Sequence, residues 1–137
     1  MAETIVGRDI GLAPYLTIKG GRGAEAVEFY KQAFDAEELV RQGVENSTKL
    51  MHAALRINGS LLLLSDDFPE HMGGQESPDP ASVTLHLQVD DADVWWRRAR
   101  DAGATVKMEL AEQFWGDRYG QLRDPFGHSW SIGSSKK

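Results

Sequence analysis

The chain has no cysteine in its 137 residues. That absence removes thiol nucleophiles, thiolate metal ligands and disulfides together, and leaves the redox compartment open. Long apolar runs are also missing. Nothing approaches the roughly 20 apolar residues of a membrane span, and the opening MAETIVGRDIG lacks the apolar centre of a secretory leader. Positive charge is scarce, with 15 Lys and Arg against 21 Asp and Glu and a formal net charge of -6. Such a surface opposes nucleic acid and acidic membranes, because neutralising phosphates dominates binding to both. Nor is there a G-x-S-x-G elbow to anchor nucleophilic catalysis. These absences point to a cytoplasmic protein with a small-molecule partner and neither a nucleic-acid nor a membrane partner.

What is present is a 41% hydrophobic content, enough at this length for a core. Residues 12–18, LAPYLTI, read as a strand. GAEAVEFYKQAFD then places Ala26, Val27, Tyr30, Ala33 and Phe34 on one helical face. EELVRQGV, LMHAALRI and SLLLLS are three strand-like runs, the last two joined by Asn58-Gly59, the two-residue turn that suits a tight hairpin. DDFPEHMGGQESPDP, with three prolines and two glycines, reads as an exposed connector.

Beyond it the same order returns. ASVTLHLQV alternates Val83, Leu85, Leu87 and Val89 with Thr84, His86 and Gln88, as in a half-buried strand. Asp90 or Asp91 caps a helix with Val94, Trp95, Ala99 and Ala102 inward and Gly103 as its stop, and TVKMEL, RYGQLR and HSWSI supply three more strands. Gly127 follows Gly59, and Ala104 follows Ala36, by the same 68 residues. The expected class is therefore α+β: one domain over 1–137 built of two tandem βαβββ modules, 12–65 and 81–133, joined by 66–80. Each module offers one helix-covered face and one concave face, and the concave faces are expected to make a cleft.

PYLTIKG with AVEFY, LLLLSD, WGDRYG and DPFGHSW together give the chain a marked resemblance to the vicinal oxygen chelate superfamily over roughly residues 12–133. This is the glyoxalase, bleomycin-resistance and extradiol-dioxygenase group, and within it the PhnB-like branch. The resemblance implies a half-barrel cleft. In metal-dependent members, four ligands drawn from His, Gln and Glu stand on the inner ends of strands one, four, five and eight. Counted from the FY pair, the VDD segment and the turn glycine, those places fall here on Tyr15, Leu63, Thr84 and Ser131. A divalent ion doing Lewis-acid chemistry needs about three N, O or S ligands and an open position. These four residues do not provide them, so no metal and no cofactor is expected.

His86 shares the face of Thr84, and His52 lies on the polar side of its strand, so both are placed in the cleft. His86 is the candidate general acid or base, since an imidazole titrates near neutrality. Trp115 offers a stacking surface and Arg118 a fork for a carboxylate or phosphonate. The plainer reading has Asp117 and Arg118 pair with each other or with the DPFG turn, and Trp130 serve as core. GRGAEA matches a dinucleotide-loop pattern, but that mechanism needs a parallel strand after the helix, and here a hairpin follows. Trp96, read as exposed, fits a subunit contact in a homodimer.

Three functional readings remain open. The leading one is a small-molecule-binding protein with a degenerate metal site, sequestering a planar or anionic compound or doing metal-free acid–base chemistry with His86. Tyr15, His52, Leu63, Thr84, Trp115, Arg118 and Ser131 would then line its substrate site. The second is a metal-dependent lyase, isomerase or dioxygenase with a displaced site recruiting His52, His86 and Glu109 or Glu112. The third is an interaction module whose cleft is filled by Tyr15, Leu61 and Leu63. Whether the protein is an enzyme stays open at this level.

Overall fold

The structure, a computed structural model, describes residues 11–135, so the reading of the first ten residues falls outside it. Two compact units are present. One joins the chain up to Lys31 with Asp35–Pro78, and the other joins Gln32–Phe34 with Asp79 onward.

The first unit runs β1 (Tyr15–Ile18), α1 (Gly23–Phe34, its last turn grouping with the second unit), β2 (Glu37–Gly43), β3 (Leu50–Ile57) and β4 (Ser60–Asp66). Its sheet order is β1-β4-β3-β2, with β1 parallel to β4 and the rest antiparallel. The helix forms because its apolar residues recur at helical spacing: Ala26, Val27, Tyr30, Ala33 and Phe34 are all fully buried. Burying a large side chain of this kind stabilises by about 1.5–3 kcal/mol. Leu16, Ile18, Leu62 and Leu64 complete the core from β1 and β4. Asn58 and Gly59 both have positive φ, 49° and 87°, which is the backbone the β3–β4 turn requires.

No side chain of its own caps the start of α1. Instead Asp66, at the end of β4 and buried, accepts from Gly23 N and Leu50 N, both at 2.7 Å. The sequence reading placed Asp66 in the connector; it belongs to the strand. The connector itself holds one short 3₁₀ turn, Pro69–His71.

The second unit repeats the pattern with β5 (Thr84–Gln88), α2 (Ala92–Ala102), β6 (Thr105–Glu112), β7 (Arg118–Arg123) and β8 (Ser129–Ser134), in sheet order β5-β8-β7-β6. The Asp91 carboxylate accepts from Val94 N at 3.4 Å, and Gly103 ends the helix at φ 122°. Two details differ from expectation. The inward face of α2 is Ala92, Trp96 and Ala99, while Val94 is 49% exposed. Trp96 is buried because β7 carries Gly120 beneath it: a β-carbon there would stand 2.6 Å from the indole. Trp96 is therefore core, and the homodimer expectation loses the residue that motivated it. Val83, expected inward, is 68% exposed and precedes β5.

Trp130 is core as expected. Its ring lies 4.5 Å from that of Phe34, and its Nε1 donates to Asp124 Oδ2 at 2.9 Å. The other oxygen of Asp124 accepts from Phe126 N and His128 N, which closes the DPFG turn. Among the described residues no helix is long and apolar enough to cross a membrane.

Candidate functional site

In the second unit, alternation along each strand sends Leu87, Leu122, Trp130 and Ile132 to the buried side and their neighbours to the opposite face. Register then aligns that second set. His86 stands opposite Ser131, and Ser131 opposite Gln121. One step along, Gln88 faces Gly133 and Gly133 faces Tyr119.

The His86 ring is held at both nitrogens, by Ser131 Oγ on Nδ1 at 2.7 Å and by Gln88 Oε1 on Nε2 at 2.8 Å. An amide oxygen only accepts, so Nε2 carries the proton of the neutral ring and the Ser131 hydroxyl donates to Nδ1. Gly133 makes room for this arrangement. A β-carbon there would lie 3.0 Å from His86 Cε1 and 3.4 Å from Gln88 Oε1.

Aromatic rings continue outward from the imidazole. His86 stacks on Tyr119 with centroids 5.8 Å apart, Tyr119 meets Trp115 edge-on at 5.9 Å, and Trp115 meets Phe114 at 5.0 Å. Together His86, Tyr119, Trp115, Thr84, Arg118 and Ser131 border a recess of about 400 Å³. Arg118 donates from Nη2 to Asp93 Oδ1 at 2.8 Å, so its ion partner is neither Asp117 nor the DPFG turn. Its Nε is buried and meets no acceptor among the described residues. Arg118 also borders a second recess, of about 530 Å³, with Asp90, Asp91, Asp93 and Glu112.

Five of the sequence candidates, Thr84, His86, Trp115, Arg118 and Ser131, thus meet in one recess. The other three lie in the first unit. Tyr15 stands opposite Leu63, and its hydroxyl and His52 Nδ1 are 2.8 Å apart, with the rings edge-on at 5.6 Å. Gln88, Tyr119 and Gly133 also border the recess and were missed as site residues. Gln88 was legible, since it continues the alternation of Thr84 and His86; Tyr119 and Gly133 gave no comparable signal.

Register gives Tyr15 a different counterpart from Thr84, the residue reached by counting from the VDD segment. Tyr15 pairs with Leu63, and the repeat carries Leu63 to Ser131, whose partner is His86; Thr84 pairs with Ser129 instead. Register thus makes Tyr15 and Leu63 of the first unit the counterparts of His86 and Ser131 of the second, and neither pair holds a carboxylate. Each pair offers at most one imidazole, short of the roughly three ligands a transition ion needs. Among the described residues no three His, Asp or Glu side chains gather as a metal site, and Glu109, offered for a displaced one, is exposed.

Residues 14–132 match the family model described as Glyoxalase/Bleomycin resistance protein/Dioxygenase superfamily. Protein Mb0911c from Mycobacterium bovis is 50% identical over 127 residues, covering 89% of this chain and 81% of its own. Two solved structures share the fold. Protein PA1353 from Pseudomonas aeruginosa is 24% identical with a TM-score of 0.74, covering 94% of this chain and 100% of that one. The PhnB protein from Bacillus cereus is 19% identical with a TM-score of 0.67, covering 90% and 98%.

Proposed function

The chain belongs to the glyoxalase/bleomycin resistance protein/dioxygenase superfamily, and on that premise we propose that it is a PhnB-like small-molecule-binding protein that holds a planar compound in its second unit without a metal. The observation carrying this reading is the recess of about 400 Å³ walled by the rings of His86, Tyr119 and Trp115. Its size falls in the range of about 300–1,000 Å³ usual for small-molecule sites. The exposed ring faces supply stacking area, and Thr84 and Arg118 supply polar groups that orient a ligand.

Metal-free acid–base chemistry by His86 is the second reading, favoured by the Ser131 hydroxyl set 2.7 Å from an imidazole nitrogen. It asks more of the site. Nε2 is engaged by Gln88, so a reacting group reaches it only after that exposed amide turns away. Binding needs no such step.

Thermal-shift screening with flat aromatic compounds tests the proposal, because a ligand of the native state stabilises by about 2.7 kcal/mol at a hundred times its Kd. The expected result is a set of hits that lose about tenfold in affinity in Trp115→Ala, the scale of one stacking contact. Hits that bind Trp115→Ala and Ser131→Leu as tightly as the parent, or no hits at all, would remove the recess from consideration.

A further inference from the structure

We infer that Arg118 is a displaceable arm, which leaves Asp93 to close on the carboxylate of a planar aromatic acid lying in the recess of the second unit. This deepens the binding reading above and rests on it. Two features of the resting arm motivate it. Arg118 is held through Nη2 by Asp93, with side chains 36% and 56% exposed, and an ion pair that open to water is a weak tether. Its Nε is meanwhile shut away from water with no acceptor among the described residues, a standing cost for a cationic donor. The arm is thus loosely held and poorly satisfied where it rests.

The surroundings select the direction of movement. Arg118 forms a wall common to both recesses. The second holds Asp90, Asp91, Asp93 and Glu112, which repel an anion; the first holds one carboxylate, Asp117, beside the ring wall. A neutral flat ring stacked there leaves the Nε donor unmet. A carboxylate on that ring presents two oxygens to the planar guanidinium fork, which a single point charge such as Lys would not match. The ring and the acid group therefore address different parts of one site, the aromatic wall and the arm.

Isothermal titration of benzoate and of its neutral counterpart benzamide into the wild type, Arg118→Gln and Asp93→Asn tests the inference. Expected are tighter binding of benzoate than of benzamide, loss of that preference in Arg118→Gln, and a gain for benzoate of up to about fivefold in Asp93→Asn, the scale of freeing an exposed ion pair. Benzamide should bind all three alike, and the Arg118 Nε–H resonance should shift with benzoate only. Weaker or unchanged benzoate binding in Asp93→Asn would make Asp93 a support and refute displacement. Benzamide binding as tightly as benzoate would leave the ring site standing and sink the arm. Failure of both probes would remove the recess reading and this inference together.

Discussion

The two units share strand order and helix placement, yet their helix-free faces have diverged. Register makes the counterparts explicit. Tyr15 corresponds to His86, Leu63 to Ser131 and Ala54 to Gln121. Two residues before Ala54 and Gln121 stand His52 and Tyr119. The first unit therefore carries a Tyr–His ring pair at 5.6 Å, and the second carries the same pair with its members exchanged, at 5.8 Å. Around them, aliphatic groups in the first unit give way to hydroxyl and amide in the second. The helix-facing sides show no such shift: Leu16, Ile18, Leu62 and Leu64 in one, Leu87, Leu122, Trp130 and Ile132 in the other. Topology thus depends on the buried alternation, and the opposite face was free to specialise.

The units also differ in how each helix is seated, and this should give the largest effects. Asp66→Ala strips the acceptor from two buried backbone N–H groups and should cost about 2–5 kcal/mol, read by urea denaturation. Gly120→Ala forces a methyl into the Trp96 ring and the Leu110 backbone, where the indole has limited room to retreat, and should cost about 1–3 kcal/mol. Trp96→Leu should cost less in the Gly120→Ala background than in the wild type. Equal costs in the two backgrounds would mean that the indole is not what the glycine accommodates. Losses below about 0.5 kcal/mol for both single variants, the scale of ordinary surface changes, would erase the distinction between the two seats.

An intermediate effect is expected from making one face resemble the other. Ser131→Leu places the first unit's residue in the second, leaves His86 Nδ1 without its donor and should destabilise by about 1 kcal/mol. The His86 ring, with one anchor gone, should lose the hydrogen-bond signature of its Nδ1 in nitrogen-15 NMR, while Gln88 keeps the proton on Nε2. The reciprocal Leu63→Ser should leave that signature untouched. If both variants change it alike, the two faces are not energetically separate.

Much of this was legible because strand and helix periods are local. The five fully buried apolar residues of α1, the Asn-Gly turn and the order of all eight strands follow from spacing alone. The residues that meet in the candidate site were legible in part, and the register that relates the first strands of the two units was not. The first unit uses three more residues than the second between equivalent points, Tyr15 to Phe34 against His86 to Ala102, so landmarks near the helices do not carry over to the first strand. The Trp95-Trp96 pair failed for another reason. Either indole satisfies a helical period, and the choice is made by Gly120 on β7, a contact between elements distant in sequence. Arg118 likewise has an adjacent carboxylate in sequence, Asp117, but pairs with Asp93 on another element.

The smallest expected effect is acid sensitivity in the first unit. Asp67 accepts from Ser77 N at 2.8 Å and from its hydroxyl at 2.9 Å, bonds that tie the connector to the end of β4. The backbone N–H of Ser77, then its hydroxyl, hold the Asp67 carboxyl below the ordinary carboxylate range, and Arg41, then Lys31, do the same for Glu38. A carboxyl depressed in the folded state binds its proton more readily when unfolded. Its contribution is therefore complete above the ordinary carboxylate pKa of about 4 and is lost as pH falls through the depressed value. Amide exchange at Ser77, corrected for the intrinsic rate, should quicken on acidification over that window, and Asp67→Asn should show the quickened rate already at neutral pH. A Ser77 amide that exchanges at one corrected rate in both proteins and at every pH would show that the connector is held by something other than this carboxylate.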